Sequence, residues 1–121
     1  MEFVSITDQE VELYKERFNL ELGWYMSVCP MKVIENDKEI ALIDCSEGMY
    51  GDDSIQIEQF EVFEKKHGWG SKIINQAIQD LSDYRIFVYV NDSNSKAFWI
   101  KKGFKPVDDG TGTEIYCYGC N

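Results

Sequence analysis

The chain has 121 residues, the length of one domain, and its 44% hydrophobic and 14% aromatic content argues against disorder. It carries 22 acidic and 12 basic side chains, a formal net charge of −10, which argues against duplex nucleic acid as a partner. No apolar run approaches the ~20 residues that a membrane span needs, and the first residues lack the features of a signal peptide. We therefore expect a cytoplasmic protein without a membrane partner, with four reduced thiols: Cys29, Cys45, Cys117 and Cys120.

The first half of the chain predicts a strand, a helix and two further strands. Residues 2–6 alternate polar and apolar, as in a short strand. Thr7 and Glu10 have the spacing of a capping box, so we expect a helix from there to about residue 18. Residues 19–30 show no period and carry no prediction. Two strands joined by a short turn are predicted over residues 31–35 and 39–45.

The second half predicts a strand, an amphipathic helix and four shorter elements. Residues 54–63 alternate and then change phase, which indicates a strand with a bulge. After Gly70, apolar residues recur with the spacing of an amphipathic helix. Residues 86–90 are almost continuously apolar, as in a central strand buried on both faces. A helix over residues 95–102 and strands over residues 104–107 and 114–118 complete the pattern.

The turn before the amphipathic helix carries two glycines, Gly68 and Gly70, and three nearby lysines, Lys65, Lys66 and Lys72. Glycines at a strand-to-helix turn let the backbone approach a ligand, and the free N–H groups and dipole of the helix attract an anion such as phosphate. The same spacing is equally consistent with a tight turn that packs the helix closely. The turn matches neither a P-loop nor a complete dinucleotide-binding fingerprint.

This segment resembles the acetyl-CoA signature of the GCN5-related N-acetyltransferases (GNAT), Arg/Gln-x-x-Gly-x-Gly/Ala after a strand. It reads here Lys65-Lys66-His67-Gly68-Trp69-Gly70. A second block is similar to the family's Asn-x-x-Ala, Tyr and Gly-Phe; it reads Asp92-Ser93-Asn94-Ser95, Phe98-Trp99 and Lys102-Gly103-Phe104. Trp99 stands where many relatives have Tyr, and Asp92 where they commonly have Asn. The motifs cover residues 54–107, and the first 50 residues agree only in element order.

The resemblance implies a single α/β domain over residues 1–121, with a mixed, mainly antiparallel, splayed sheet of six or seven strands and about three helices. It implies acetyl-CoA as co-substrate and direct attack on its thioester by an amine of the acceptor. The residues that would hold acetyl-CoA are Val62, Phe63, Lys65, Lys66, His67, Gly68, Trp69, Gly70, Ser71, Lys72, Asn94 and Trp99.

The attacking amine must be neutral, so a general base is needed. Glu58 is the first candidate, because relatives often have a glutamate on the strand that enters the loop, and Glu61 is the second. A Tyr near the departing thiolate acts as acid in many relatives, but an indole at Trp99 is no practical acid. Tyr89, Tyr116 or Tyr118 could act as the acid instead, and the sequence does not choose among them; Tyr116 is the residue named as catalytic with Glu58.

The acceptor is expected to be a cationic small molecule or a protein lysine. Residues 1–60 contain 14 acidic and 4 basic side chains, whereas residues 61–121 contain 8 of each. By resemblance the first half supplies much of the acceptor side, where an acidic face would attract a cation. Four residues of that half, Trp24, Tyr25, Met26 and Met31, would line the acceptor pocket or simply belong to the core.

The alternative function is a catalytically weak or inactive acyl-CoA-binding or protein-interaction domain of the same fold, suggested by Trp99 and Asp92. The four cysteines lack the paired spacing of a zinc site, so no metal is expected. A monomer and a homodimer are equally consistent with the sequence.

Overall fold

The computed structural model describes residues 1–24, 26–65, 67–90, 93–108, 110 and 114–120, without the side chain of Asn94. This part of the chain forms seven strands and three helices. They are β1 (Glu2–Ser5), α1 (Asp8–Arg17), β2 (Pro30–Glu35), β3 (Lys38–Glu47), β4 (Ser54–Val62), α2 (Trp69–Asp80), β5 (Arg85–Tyr89), α3 (Ser93–Lys101), β6 (Lys105–Val107) and β7 (Ile115–Tyr118). The predicted α/β class and element order are confirmed.

The strands form one mixed sheet in the order β1-β2-β3-β4-β5-β7-β6. Neighbouring strands are antiparallel except β4 and β5, which are parallel because α2 connects them. The predicted turn between β2 and β3 is tight, with Asn36 and Asp37 both at positive φ (51° and 63°). Two such residues fit a hairpin turn whose twist matches the strands.

The helices cover the two faces of the sheet. On one face α1 begins at the predicted capping box, with Thr7 Oγ1 accepting from the Glu10 N–H at 3.1 Å, and it buries Val11 against Leu42. On the other face α2 and α3 bury Ile73, Ile74 and Trp99 against the main core. β5 is buried on both faces, as its apolar sequence predicts.

Strand β4 carries the predicted bulge, and beyond it β4 and β5 separate. Gln59 pairs with Asp44 and Ile57 pairs with Cys45, so Glu58 is the extra residue in β4. The parallel ladder joins Ser54–Ile57 to Arg85–Val88 and pairs no later described residue of β4 with β5. The remaining half of β4 therefore has an unpaired edge facing an opening in the sheet.

The expectation of four reduced thiols is wrong for one pair. Cys117 and Cys120 form a disulfide, while Cys29 and Cys45 are free. Gly119 lies between the bonded residues at a φ of 87°, so the chain turns back after β7, and the two Cα atoms lie 5.9 Å apart. In the described part of the chain, no helix is long and apolar enough to cross a membrane, and no cluster of His, Cys, Asp and Glu could hold a metal.

Candidate active site

The opening between β4 and β5 contains a cavity of about 520 Å³. It is lined from the face of α2 and α3 by Gly70, Phe98 and Trp99, and from the face of α1 by Glu21 and Leu22. The remaining lining comes from the strands and the following turn: Ile57, Glu58, Gln59, Phe60, Glu61, Val62, Lys65, Val88, Tyr89 and Ser95. Elements on both faces of the sheet therefore contribute to the lining of the cavity.

The start of α2 has the features of an anion site. Gly68 is the N-cap at a φ of 74°, a left-handed conformation that favours glycine, and no side chain of the described residues caps the helix. The first turn contains no acidic residue. A methyl group on Gly70 would lie 3.7–3.9 Å from Val62, Phe98 and Phe60, so this glycine keeps the cavity wide next to the helix N-terminus. The first N–H groups of α2 therefore have no capping side chain among the described residues, and the helix dipole gives this end a positive potential.

Lysines near the turn already form ion pairs within the protein, which their spacing in the sequence does not predict. Lys65 lines the cavity but forms an ion pair with Glu21 at 2.9 Å, and Lys72 pairs with Glu35 at 3.1 Å. Lys66 lies outside the described residues. A cation that sequence reasoning missed, Lys102, contacts the Ser71 hydroxyl in the first turn of α2 and lies 3.2 Å from Asn75 Oδ1. Both partners are neutral, and only the Lys102-Gly103-Phe104 motif pointed to this segment.

Glu58 lies on the bulge, at the point where β4 and β5 part, and it lines the cavity. Ser46 Oγ donates to one of its carboxylate oxygens at 2.6 Å, and the side-chain amide of Gln56 lies 3.4 Å from the other. Gln56 is nine-tenths buried, and its own side-chain oxygen has no hydrogen-bond partner among the described residues. Glu58 therefore presents a half-buried carboxylate whose described partners are neutral.

Glu61 holds the 18–29 loop, which is the segment between α1 and β2. Its carboxylate accepts from the N–H groups of Glu21 and Leu22 at 2.6 and 3.0 Å and from the indole N–H of Trp24 at 3.1 Å. All of these bonds are internal, so the structure gives Glu61 a different role from the second-choice base of the sequence analysis. Trp24 is 2% exposed and belongs to the core, while Met26 is exposed and Tyr25 lies outside the described residues.

Two predicted site residues lie away from the cavity. The ring of Phe63 stacks on that of Phe18 with the ring centres 3.9 Å apart, and the backbone N–H of Phe63 donates to the Ile40 carbonyl at 2.9 Å. Neither the ring nor the N–H of Phe63 is therefore free for a ligand. Tyr116 is 2% exposed in the core, with its hydroxyl donating to Glu114 at 3.0 Å. Of the three candidate tyrosines, Tyr89 is the one that lines the cavity, and it is half exposed.

The remaining predicted residues divide between the cavity and the surface. Val62, Lys65, Gly70 and Trp99 line the cavity, and Trp99 is 6% exposed. Trp69 packs against the core with the Lys72 ammonium 5.3 Å from its ring centre, and His67 is exposed at 3.7 Å from Glu64. The side chain of Asn94, like Asp92, lies outside the described part.

Cys45 is a free thiol on β3, paired with Ile57, which lines the cavity. Burial, reinforced by the negative charge of Asp44, raises the pKa of Cys45 to about 12. The thiolate is the nucleophilic form of cysteine, so this group stays unreactive near neutral pH. An acyl-enzyme on Cys45 is therefore disfavoured, which is consistent with direct attack by the acceptor.

The acidic residues of the first half do not form an acidic acceptor face. Of its 14 acidic side chains, Glu21 and Glu58 line the cavity. Several others bind within the fold: Glu35, Glu39 and Asp53 in ion pairs, and Asp44 through the N–H groups of Val28 and Cys29. The inference from charge distribution to an acidic acceptor face is therefore wrong, because most of these carboxylates lie elsewhere on the molecule.

No protein-family model matches the chain, and no curated sequence is significantly similar to it. Its fold, however, is shared with solved acetyltransferases. An acetyltransferase from Thermus thermophilus superposes with a TM-score of 0.74 over 97% of this chain and 95% of its own, at 14% identity. A Bacteroides thetaiotaomicron protein assigned to the GNAT family superposes with a TM-score of 0.74 over 100% and 88%, at 15% identity.

A third solved structure contains a ligand. It is an Arabidopsis thaliana protein in complex with the bisubstrate analogue CoA-Ac-MVNAL, with a TM-score of 0.62 over 96% of this chain and 95% of its own, at 15% identity. Together these similarities confirm that the chain has the GNAT fold, as its motifs predict.

Proposed function

We propose that this protein is an acetyl-CoA-dependent N-acetyltransferase that acetylates a primary amine. The observation that carries the proposal is the opening between β4 and β5, which has the uncapped start of α2 on one side and Glu58 on the other. Acetyltransferases of the same fold, one of them bound to a CoA-containing analogue, support the reaction class.

The chain offers suitable partners for each part of acetyl-CoA. The unpaired edge of β4 beyond Ile57 can hydrogen-bond the amides of the pantetheine arm. The free N–H groups at the start of α2 suit the pyrophosphate, with Gly68 shaping the turn and Gly70 leaving room. Lys102 adds a positive charge whose partners in the described part of the chain are neutral, and Lys65 can exchange Glu21 for phosphate.

The reaction needs a neutral amine, an electrophilic carbonyl and a leaving thiolate. We assign Glu58 as the base that takes the proton of the incoming ammonium, because its carboxylate borders the cavity and its hydrogen-bond partners among the described residues are neutral. Tyr89 replaces Tyr116 as the candidate acid for the thiolate, since it lines the cavity. The indole of Trp99 can supply a hydrogen bond there but no proton.

Calorimetric titration with acetyl-CoA, followed by chromatographic detection of free CoA with a panel of primary amines, tests the proposal. We expect a saturable cofactor site and amine-dependent CoA release. Failure to bind acetyl-CoA at millimolar concentration would refute it.

The second candidate is a domain of this fold that binds acyl-CoA without turnover, and the buried Trp99 at the family's usual Tyr position favours it. Saturable cofactor binding without acetylation of any amine in the panel would select this alternative. Abolished turnover in Glu58→Gln, with unchanged cofactor affinity, would select the enzyme.

A further inference from the structure

The strand ladder leaves the side chain of Glu58 without a fixed direction. Glu58 is the extra residue of the β4 bulge, between the pairs Cys45–Ile57 and Asp44–Gln59. The extra residue of a bulge has no partner in the ladder. Backbone pairing already joins β3 and β4 on both sides of the bulge, so the strands do not depend on this side chain. The direction of the carboxylate is therefore set by its side-chain contacts.

The hydroxyl of Ser46, on the neighbouring strand β3, makes the shorter of the two hydrogen bonds to this carboxylate in the described part of the chain. Ser46 Oγ donates to Glu58 Oε1 at 2.6 Å, a distance typical of a hydroxyl bound to a charged carboxylate. Ser46 is half-buried and is not among the described residues that line the cavity, whereas Glu58 is. The hydroxyl therefore acts on the cavity only through Glu58.

The side-chain amide of Gln56 contacts the other carboxylate oxygen. Its Nε2 lies 3.4 Å from Glu58 Oε2, and Gln56 is paired across the strands with Ser46. A flipped amide would place its oxygen against the carboxylate, so the negative charge of Glu58 determines which way the amide faces. In this orientation Gln56 Oε1 is buried and has no hydrogen-bond partner among the described residues. An unpaired buried acceptor is unfavourable, so the contact with Glu58 is kept at a cost in stability.

We propose that Ser46 and Gln56 are positioning residues that hold the base: Ser46 fixes Oε1 of Glu58, and Gln56 directs Oε2 toward the incoming ammonium. This inference rests on the proposed acetyltransferase function and adds the groups that orient its base. Proton transfer requires the base within hydrogen-bond reach of the proton, and a small misplacement of a catalytic group lowers the rate severalfold or more. Both donors are neutral, so they orient the carboxylate without an ion pair, in contrast to Lys65 at Glu21.

The proposed reaction balances with one proton on Glu58. The ammonium, R–NH3+, transfers a proton to Oε2 and becomes R–NH2. The amine nitrogen attacks the thioester carbon, a C–N bond forms, and the C–S bond breaks with its electron pair on sulfur. The second proton of the nitrogen goes to the thiolate, and the products are R–NH–CO–CH3 and CoA-SH. Ser46 keeps its hydroxyl proton throughout, and Glu58 returns its proton to water.

Removal of the Ser46 hydroxyl gives the first test. We expect kcat of Ser46→Ala to fall about tenfold with an unchanged Kd for acetyl-CoA, because the base is misplaced while the cofactor site is intact. Ser46→Thr keeps a hydroxyl and should keep at least about half of the wild-type kcat. Ser54→Ala is the control, because the Ser54 hydroxyl bonds to the backbone of Tyr50 and Gly51 outside the cavity lining. Equal losses of kcat in the Ala and Thr variants, or in Ser54→Ala, would overturn the assignment.

A double-mutant cycle tests whether the hydroxyl acts through Glu58. In a Glu58→Gln background, Ser46→Ala should change kcat by less than about twofold, since the group that it positions is already gone. A further fall of about tenfold would show that Ser46 affects the rate by another route, and would refute its role as a positioning residue for Glu58.

Gln56→Met separates positioning from a structural role. Methionine has a similar length and volume, but it lacks both the amide N–H and the unpaired oxygen. We expect kcat to fall about threefold while the free energy of unfolding in urea stays the same or rises, because a buried unpaired acceptor is removed. A variant that loses stability and keeps the wild-type kcat would exclude Gln56 from the proposal.

A measurement without turnover separates this inference from the proposed function. The carboxyl 13C signal of Glu58, identified by its absence in Glu58→Gln, is followed through a pH titration by NMR. A hydroxyl that donates to a carboxylate favours its charged form, so the change in this signal should occur at higher pH in Ser46→Ala than in wild type. In Ser46→Thr it should stay in place.

The comparison isolates the hydroxyl, because the other titratable groups near Glu58 are the same in all three proteins. Those that the structure describes are Glu21, Glu61, Lys65 and Tyr89 in the cavity lining and the Cys45 thiol on β3. A titration that moves in a protein unable to release CoA would retain the positioning and refute only the enzymatic proposal. A titration that does not move in an active protein would refute the positioning alone.

Discussion

Glu58 owes its position to one extra residue in a strand. Without the bulge, the side chains of β4 would keep alternating between the two faces of the sheet as the strand passes the opening. The change of phase between Ile57 and Phe60 made this bulge readable from the sequence. The choice among tyrosines was not readable, because strand pairing decides which of them reaches the cavity. Tyr89 follows Val88, the last residue of β5 that pairs with β4, so it lies where the two strands separate, whereas Tyr116 is paired with Val88 inside the sheet.

At this scale, Glu58→Gln tests the proposed base. We expect kcat to fall by about a hundredfold or more, since general base catalysis commonly contributes that much, with unchanged affinity for acetyl-CoA. The loss should shrink at higher pH, where more of the amine is neutral without help. Steady-state rates over a pH series measure both effects.

Glu47→Gln is the control for this experiment, because Glu47 is exposed at the end of β3 and lies outside the cavity lining. It should keep the wild-type rate. A Glu58→Gln variant with full activity at neutral pH would exclude Glu58 as the base.

The start of α2 separates two uses of glycine within one element. Gly68 needs its left-handed φ of 74°, and a Cβ there would meet no described atom within 4 Å. Gly70 has ordinary helical geometry. A side chain at this position would instead occupy cavity space, with its Cβ 3.7–3.9 Å from Val62, Phe98 and Phe60. The sequence pattern predicted both glycines as site residues. It could not show that a side chain would strain the backbone at Gly68 but fill cavity space at Gly70.

Gly70→Val and Gly68→Ala should therefore fail in different ways. We expect Gly70→Val to reduce acetyl-CoA affinity by at least about tenfold, because its methyl groups fill the cavity beside the helix N-terminus. Gly68→Ala should mainly lose stability, about 1–2 kcal/mol, because a left-handed residue with a Cβ is strained. Calorimetric titration and urea unfolding measure the two effects. Equal affinity losses in both variants would contradict the separate roles.

The 18–29 loop illustrates an element whose order depends on distant residues. Its N–H groups bond to Glu61, Gln59 and Asp44, which lie 15–40 positions further along the chain. No local period or cap in the sequence could reveal such contacts, so this segment carried no prediction. The loop is shaped by carboxylates of β3 and β4; Trp24 is buried, whereas Leu22, Met26 and Val28 stay exposed.

Glu61→Ala tests this arrangement. We expect the free energy of unfolding to fall by roughly 2–4 kcal/mol, because one buried and two partly buried donors lose a charged acceptor. Limited proteolysis should cut within the 18–29 loop faster than in wild type. Glu64→Ala removes an exposed ion pair with Lys38 and should cost less than about 1 kcal/mol. Similar losses in the two variants would show that Glu61 does not organise the loop.

At the scale of the whole molecule, the sequence predicted the architecture better than the distribution of charge. Local signals, such as the capping box, the amphipathic α2 and the apolar β5, depend on residues close in sequence, and together with the motifs they specified the GNAT fold. The partners that the acidic residues bind depend on which helices and strands contact each other in the fold. Glu39 on β3, for example, bonds to Tyr14 of α1 and Lys32 of β2. The excess acid of the first half therefore contributes to tertiary contacts as well as to the surface.

These contacts predict how stability depends on pH. The Tyr14 hydroxyl and the Lys32 ammonium lower the pKa of Glu39 below its usual 4.5, Arg85 lowers the pKa of Asp53 below 3.8, and Lys96 lowers the pKa of Glu114 below 4.5. The unfolded chain thus binds protons at a higher pH than the folded protein. The contribution of these groups is fully present above the unfolded pKa values and is lost as pH falls through the lower, folded values.

We therefore expect the free energy of unfolding, measured in urea from about pH 7 to about pH 3, to decrease mainly below about pH 4.5. Glu39→Gln removes the carboxylate that Tyr14 and Lys32 share, so its curve should be flatter in that range and lower on the neutral side. Glu12→Gln, exposed on α1, keeps this cluster and should reproduce the wild-type slope. A Glu39→Gln curve as steep as that of wild type would mean that the acidic residues of the first half respond to falling pH as a uniform surface charge. In that case the contacts between α1, β2 and β3 would not set the pH dependence of this fold.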